Sequence, residues 1–363
     1  MTAQDRSDRQ AVIAREGAPL TSGEVGLGAR RIDISKFGPK HPGGPAYLEA
    51  FAKRDASDAY LAFHPHARAA SMQTPYAKLV AALEQDGLFK ADGRQRIAFV
   101  SDLGIVAAGA ALTHVHPVFA VVLALGIMRL QYTQHDIWHG QWSSDRRRSA
   151  RIANAIGLLT GTTTSWWRDK DHDPHHFFCN VFPADPNNFL GIRLGAVLAL
   201  PGVYLYILWC SLRDGTMWEK PVSLIHLAML ALLLSPAGWA IFLLTYCFAW
   251  VPFQLVHHPP RTIDATDWVT SQVLNTQDVV GSSVMRWLMA GHDLQMEHHL
   301  FPRMPRHRLP EAAIATAAFC EENGLRRVPI PYFKALRAFL NVWWGQHVAR
   351  QPNSPDGAPS VES

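Results

Sequence analysis

The stretch Gln295-Met296-Glu297-His298-His299-Leu300-Phe301-Pro302 carries the most informative pattern in this chain. Two adjacent histidines follow a glutamine, and side chains three and four positions apart share one face of a helix. Two further groups of this kind lie upstream, one with His135 and His139 and one with His172, His175 and His176. Each group therefore directs its side chains to one side, as a shared metal site requires.

The number and type of these side chains predict the metal content. Neutral imidazole is a ligand for iron, copper, nickel and zinc, but not for magnesium or calcium. Seven histidines and one glutamine exceed the four ligands of a single zinc ion, so the pattern predicts two metal ions. The pair His257-His258, directly after an apolar segment, offers a candidate additional ligand. Asp136 and Glu297 are predicted to orient imidazole rings instead of binding metal.

Apolar segments between the histidine groups predict an integral membrane protein. Hydrophobic residues make up 48% of the 363 residues and charged residues 18%. Residues 97–112, 118–131, 222–234 and 237–256 are predicted to cross the membrane as two hairpins. Residues 189–212 contain an arginine and a proline and are interpreted as interfacial. An even number of crossings then separates the second and third histidine groups, so all three lie on one face.

The charge pattern orients the chain and limits its partners. Arginines cluster beside the first and third groups, at 146–148 and at 303, 306 and 308. Cationic residues are enriched on the cytoplasmic side, so the histidine groups and both termini are predicted to face the cytoplasm. A net charge of +4 gives no indication of a nucleic-acid partner. The four dispersed cysteines indicate neither a disulfide framework nor a zinc ribbon.

The three histidine groups resemble those of membrane fatty-acid desaturases, and they are most similar to the front-end type with a fused cytochrome b5 domain. In that type the third group begins with glutamine, as it does at Gln295. The run Trp166-Trp167-Arg168-Asp169-Lys170 before the second group and Asp185-Pro186 after it are also similar to the family pattern. The resemblance covers residues 97–345.

The resemblance implies a mostly α-helical, four-helix membrane fold with a histidine-rich cytoplasmic cap. It implies two iron ions and O2 as a co-substrate, and His258 matches a family histidine upstream of the third group. Asp293 lies near a position where the family commonly has asparagine, and it is assigned with Asp136 and Glu297 to the surroundings of the ligands. The implied ligands are His135, His139, His172, His175, His176, His258, Gln295, His298 and His299.

The N-terminal part resembles cytochrome b5. Residues 32–37, the motif His41-Pro42-Gly43-Gly44 and residues 55–65 carry this resemblance. It implies a haem b whose axial ligands are His41 and His64. Two imidazole ligands leave no open position on the iron, which suits electron transfer. The strands expected upstream are not recognisable in residues 1–30.

These observations predict five segments and one activity. The segments are a flexible leader at 1–30, a partial cytochrome b5-like segment at 31–70, a connector at 71–96, the desaturase membrane domain at 97–345 and a disordered tail at 346–363. The predicted activity introduces a cis double bond into the acyl chain of a lipid or acyl-CoA. Electrons would come from the haem, or from a separate cytochrome b5 or ferredoxin-type donor and its reductase. The alternatives are a sphingolipid- or carotenoid-type hydroxylase and a non-catalytic membrane metal-binding protein.

Overall fold

The computed structural model describes residues 12–14, 19–64, 66–69, 72–180, 185, 202–257 and 267–343. The chain divides into two units, one with residues 1–88 and 266–270 and the other with residues 89–265 and 271–363. Helices predominate, which agrees with the predicted mostly α fold. His258, the tail at 346–363 and most of the predicted interfacial segment at 189–212 lie outside the described residues.

The first unit begins with a small antiparallel sheet. Its strands are β1 (Val12–Ala14), β2 (Glu24–Leu27) and β3 (Arg30–Asp33), in the order β1-β3-β2. Val25 and Ile32 face each other across β2 and β3, and both side chains are buried. The prediction of a flexible leader is therefore corrected for residues 12–14 and 24–27. These strands are too short to show an alternating pattern, and their pairing with β3 stabilises them.

Four α-helices and a 3-10 helix, Gly38–Lys40, follow the sheet in the first unit. The α-helices are α1 (Ile34–Phe37), α2 (Ala46–Glu49), α3 (Ser57–Phe63) and α4 (Pro75–Gln85). The hydroxyl of Thr74 caps α4 by accepting a hydrogen bond from the amide of Ala77 at 3.0 Å. Tyr76, Val80 and Leu83 form the buried face of α4. The first unit therefore extends past residue 70 into the predicted connector.

Helices form most of the described part of the second unit. Their bounds are α5 (Gly93–Thr113), α6 (Ala120–Trp138), α7 (Arg146–Thr160), α8 (Thr164–Trp166), α9 (Asp173–Phe178), α10 (Val203–Asp214), α11 (Lys220–Leu233), α12 (Pro236–His257), α13 (Trp268–Asn275, which begins in the first unit), α14 (Ser283–Leu288), α15 (Gln295–Leu300), α16 (Leu309–Glu322) and α17 (Tyr332–Trp343). A π-helical segment, Trp167–His172, joins α8 to α9. Two short strands, β4 (Val279–Val280) and β5 (Ile330–Pro331), pair in parallel.

Helix α6 lies at the centre of the second unit and carries the first histidine group. It packs against α5, α7 and α12, and every residue from 126 to 138 is buried. Glycines allow α5 and α6 to approach closely. A Cβ atom on Gly109 would lie 2.5 Å from the backbone nitrogen of Leu123, and one on Gly126 would lie 2.9 Å from that of Val106. These small residues therefore set the separation of the α5–α6 hairpin.

Two described helices are long and apolar enough to cross a membrane, α5 with 21 residues and α12 with 22. The sequence predicts four crossings, and the other two fall on α6 and α11. Helix α11 has 14 residues, which span about 21 Å of a hydrocarbon core that is about 30 Å thick. Helix α6 contains Arg129, whose guanidinium pairs with the buried carboxylate of Asp102 on α5 at 2.6 Å.

Candidate metal centre and haem site

Eight histidines of the second unit converge into two groups. Within each group the candidate ligand atoms all lie within 4.8 Å of one another. The five-histidine group contains His135, His139, His172, His176 and His298. The three-histidine group contains His175, His257 and His299. All eight side chains are buried except His139, which is half-buried.

Neighbouring histidines in the sequence are divided between the two groups. His175 and His176 are consecutive on α9, and His298 and His299 are consecutive on α15. Consecutive residues on a helix point about 100° apart, so one member of each pair faces each group. The Nε2 atoms of His176 and His298 lie 3.1 Å apart. The arrangement therefore forms two neighbouring groups, each of which could hold a metal ion.

A π-helical turn positions the start of the second histidine group. His172 ends the segment Trp167–His172, and its Nε2 lies 2.6 Å from Nε2 of His139. Isolated π turns are rare and frequently occur at functional sites. Metal–imidazole bonds are about 2 Å long, so adjacent ligands of one ion have nitrogens about 3 Å apart. The separations between His139 and His172, 2.6 Å, and between His176 and His298, 3.1 Å, are of this size.

The buried nitrogens of the three-histidine group fit a metal ion. Nδ1 of His175 lies 2.8 Å from Oδ2 of Asp185, and Nδ1 of His299 lies 2.8 Å from Oε1 of Gln272. Both Nδ1 atoms therefore donate, and both Nε2 atoms carry a lone pair. Neither Nε2 atom has a hydrogen-bond partner among the described residues. Buried acceptors are rarely left without a partner, and a metal ion would supply one.

Burial keeps these histidines in the form that binds metal. Loss of hydration lowers the pKa of His139 to about 3. The same cause, together with neighbouring imidazoles, lowers the pKa values of His172, His176, His298 and His299 well below the ordinary value. Neutral imidazole carries the lone pair that a metal requires.

Gln295 and His257 lie together beside the three-histidine group. Nε2 of Gln295 is 2.9 Å from Nε2 of His257, and Oε1 of Gln295 has no hydrogen-bond partner among the described residues. The structure places His257 in the three-histidine group, and His258, the ligand that the family resemblance implies, lies outside the described residues. Spacing alone does not distinguish two adjacent histidines, because the rotation of α12 about its axis determines which one faces the group.

Two of the carboxylates that are predicted to lie around the ligands pair with arginines. Glu297 pairs with Arg327 at 2.9 Å, and Asp293 pairs with Arg286 at 2.8 Å. The prediction that Glu297 orients an imidazole ring is therefore corrected. Its carboxylate links α15 to the segment before β5. A residue next to two histidines on a helix points away from both, which explains the difference.

Asp136 contacts both a ligand histidine and an arginine, whereas Asp185 and Gln272 each accept a hydrogen bond from a ligand histidine. Its Oδ1 lies 3.4 Å from Nδ1 of His135, and its Oδ2 lies 3.4 Å from the guanidinium of Arg306. Sequence reasoning did not assign Asp185 or Gln272 to the site. Asp185 belongs to the Asp-Pro motif after the second histidine group, which was a usable signal. Gln272 lies on α13, far from any motif, and no sequence pattern indicates its role.

His292 is a further buried histidine that sequence reasoning missed. Its Nε2 lies 3.3 Å from Nδ1 of His135, and its ring stacks on Tyr132 with centroids 4.8 Å apart. In the sequence it is a single histidine three residues before Gln295, with no other histidine three or four positions away. Its place in the site therefore depends on the fold.

The first unit brings the two predicted haem ligands together. The ring centroids of His41 and His64 are 6.2 Å apart. Metal–imidazole bonds of about 2 Å place the centroids of two rings on opposite sides of one iron about 6 Å apart. Nδ1 of His41 lies 3.0 Å from the carbonyl oxygen of Gly44, and Nδ1 of His64 lies 3.1 Å from that of Tyr60. Both Nδ1 atoms therefore donate, which assigns the lone pairs to Nε2 and fits axial ligation.

The turn after His41 explains the glycines of the motif. The amide of Gly44 donates to the carbonyl of His41 at 2.8 Å, and Gly44 has a φ of +90°, which favours glycine. A Cβ atom on Gly43 would lie 3.0 Å from the ring of Tyr47 and 3.2 Å from Cε1 of His41. The motif therefore holds the imidazole of His41 in a tight, fixed turn.

Comparisons with known proteins assign both units. A family model described as fatty acid desaturase matches residues 112–331, and one described as cytochrome b5-like heme/steroid binding domain matches residues 32–82. The chain is 24% identical over 387 residues to the Delta(8)-fatty-acid desaturase of Helianthus annuus, and the alignment covers 84% of this chain and 83% of that protein. It is 25% identical over 399 residues to fatty acid desaturase 3 of Bos taurus, and that alignment covers 86% of this chain and 89% of the bovine protein. It is 24% identical over 372 residues to the acyl-lipid (9-3)-desaturase of Physcomitrium patens, and that alignment covers 81% of this chain and 69% of the moss protein.

These matches confirm the family predicted from the histidine groups. The desaturase match spans more than half of the chain and includes all eight histidines of the two groups. The cytochrome b5 match includes His41 and His64 and indicates a haem-binding domain. Desaturases of this family are typically bound to membranes. The chain therefore belongs to the fatty acid desaturase family, and it is an oxidoreductase of the front-end type that carries a cytochrome b5 domain.

Proposed function

We propose that this protein is an O2-dependent fatty-acyl desaturase that introduces a cis double bond into the acyl chain of a lipid or acyl-CoA. The reaction removes one hydrogen from each of two neighbouring methylenes. Those two hydrogens, two electrons and two protons reduce O2 to two molecules of water. The observation that supports this most strongly is the division of eight histidines, seven of them buried, into two adjacent groups.

The two groups are proposed to hold two iron ions. The five-histidine group would hold one ion, and His175, His257 and His299 would hold the other, with Gln295 beside them. Iron bound there would supply the oxidant for an unactivated C–H bond, which no side chain can provide. The protein contributes burial, which keeps bulk water from the centre, and fixed ring orientations. Asp185 and Gln272 accept hydrogen bonds from Nδ1 of His175 and Nδ1 of His299. The Nε2 lone pairs of these two histidines would therefore be directed to the metal.

The proposed site lies at the ends of apolar helices, which suits an apolar substrate. His135 is in the last turn of α6, and His257 is the last residue of α12. We propose four crossings, formed by the α5–α6 and α11–α12 hairpins, with the histidine groups and both termini on the cytoplasmic side. An acyl chain in the membrane would then approach the metal centre from the apolar core between these helices.

Electrons are proposed to enter through a haem b bound by His41 and His64. The separation of the two rings and the donor role of both Nδ1 atoms support bis-imidazole ligation. Such a haem transfers electrons and leaves no position for O2. A reductase would reduce this haem, and a separate cytochrome b5 or ferredoxin-type donor is the alternative source.

Substitution of Gln272 tests the orientation of the ligands. Gln272→Leu removes the acceptor for Nδ1 of His299, and it leaves a buried donor unsatisfied. We expect iron affinity to fall about 10–100-fold, as it does when such ligand partners are lost. The measurement is the rate of iron transfer from the purified chain to a ferrous chelator. Gln277→Leu is the matched control, because the side chain of Gln277 is buried and donates to the carbonyl of Leu255. Equal rates for the two variants would contradict the prediction.

Lipid analysis tests the proposed activity. The chain is expressed in a host of known lipid composition, and the lipids are analysed by mass spectrometry with localisation of double bonds. We expect a new cis-unsaturated acyl chain and two iron ions per purified chain. A hydroxylated product without a new double bond would support the hydroxylase alternative. An iron-free protein without a lipid product would support the non-catalytic alternative.

A further inference from the structure

His292 is a buried histidine that the proposed metal centre does not use as a ligand. Its side chain is 0% exposed, and it lies in the segment between α14 and α15. Its ring stacks on Tyr132 of α6, with centroids 4.8 Å apart and planes 26° apart. The ring of Phe253 on α12 lies edge-on to it, with centroids 6.4 Å apart. Packing on two helices therefore fixes the orientation of this imidazole.

Hydrogen bonding determines which nitrogen of His292 carries the proton. Nδ1 of His292 lies 3.1 Å from the carbonyl oxygen of Met289, and a carbonyl oxygen can only accept. Nδ1 therefore donates, and Nε2 of the neutral ring is an acceptor. This Nε2 faces Nδ1 of His135 at 3.3 Å. A hydrogen bond between the two rings requires the proton to be on Nδ1 of His135.

We propose that His292 is a positioning residue that holds His135 in the tautomer protonated at Nδ1, so that the Nε2 lone pair of His135 is directed to the metal. This inference rests on the proposed metal centre. The arrangement is equivalent to those at His175 and His299, where Asp185 and Gln272 accept from Nδ1. Here the acceptor is a second imidazole, which orients the ligand without adding a negative charge.

Asp136 is the competing acceptor for the same proton. Its Oδ1 lies 3.4 Å from Nδ1 of His135. However, Asp136 is the next residue on the same helix, and consecutive helical side chains do not face each other. Its other oxygen pairs with Arg306 at 3.4 Å. His292 approaches from a different segment and is held by ring packing, so the geometry favours His292.

A pair of substitutions at position 292 tests this role. His292→Leu removes the acceptor and keeps an apolar side chain against Tyr132. His292→Gln retains an acceptor, because the amide oxygen of glutamine extends to about the place of Nε2. We expect iron transfer to a ferrous chelator to be about 10–100-fold faster from the leucine variant of the full-length chain. The glutamine variant should resemble the unchanged chain. Mössbauer spectra should show one of the two iron components altered in the leucine variant alone, which general destabilisation would not produce.

Asp136→Leu removes the competing acceptor. The iron content separates this inference from the proposed function. Fast iron loss in the Asp136 variant with no change in the His292→Leu variant would overturn the proposal. Equal losses in the two His292 variants would also overturn it and would indicate that His292 itself binds metal. Two iron ions in the unchanged chain with no effect of either substitution at position 292 would overturn this inference alone. An unchanged chain without iron would overturn the proposed metal centre as well.

Discussion

Replacement of His298 by alanine is expected to abolish desaturation. His298 is 1% exposed, and its Nε2 lies 3.1 Å from Nε2 of His176 within the five-histidine group. Its ring also contacts those of His135 and His139, with centroids 4.7 and 4.9 Å away. Alanine removes a candidate ligand from the middle of this group. Loss of a partner of a ligand costs about 10–100-fold, so loss of a ligand should reduce product formation by more than about 100-fold.

The measurement compares the new unsaturated lipid and the iron content of the His298→Ala variant with those of the unchanged chain. His114→Ala is the matched control, because it makes the same substitution at an exposed histidine that follows α5. The control should retain both product and iron. Full activity in the His298 variant would contradict the assignment of the five-histidine group.

Replacement of His64 by alanine is expected to eliminate haem binding. The ring of His64 lies 6.2 Å from that of His41, and its Nδ1 is 3.1 Å from the carbonyl oxygen of Tyr60. Alanine removes one of the two proposed axial ligands and leaves His41 to hold the iron alone. We expect the absorption spectrum of a bis-imidazole haem to disappear from the purified chain. Desaturation that depends on this haem should fall with it.

His66→Ala is the control for this experiment. His66 is two residues further along the chain and exposed, so its loss should leave the haem spectrum unchanged. A normal haem spectrum in the His64 variant would show that another residue provides the second ligand. Loss of haem with normal desaturation would indicate that a separate donor supplies the electrons.

The sequence predicted much of the site because its histidines occur at helical spacing. His172, His175 and His176 lie within a little more than one turn, so any helix through them brings them to one region. Seven histidines chosen in this way lie together in the structure. His257, Gln272 and His292 could not be chosen in this way. Each lies alone or beside a rival residue, and only the rotation and packing of its element bring it to the site.

In the N-terminal unit, too, local features could be predicted from the sequence and long-range contacts could not. The motif around His41 was recognisable because a tight turn requires glycine at Gly44, and that requirement is local. Strands β1 and β2 were not recognisable, because three or four residues do not show a periodic pattern. Pairing with β3 decides their structure, and pairing is a contact between distant parts of the chain.

The family, the mostly helical fold and the residue types of the candidate metal centre could be predicted from the sequence, because spacing along a helix is a local property. The packing of the helices sets how those residues divide into two groups. His175 and His176 face different groups, and so do His298 and His299, since helix rotation separates neighbours by about 100°. It also decided which side chains hold the rings, as with Gln272 and His299. Those partners meet only when separate helices pack, which spacing in the chain does not specify.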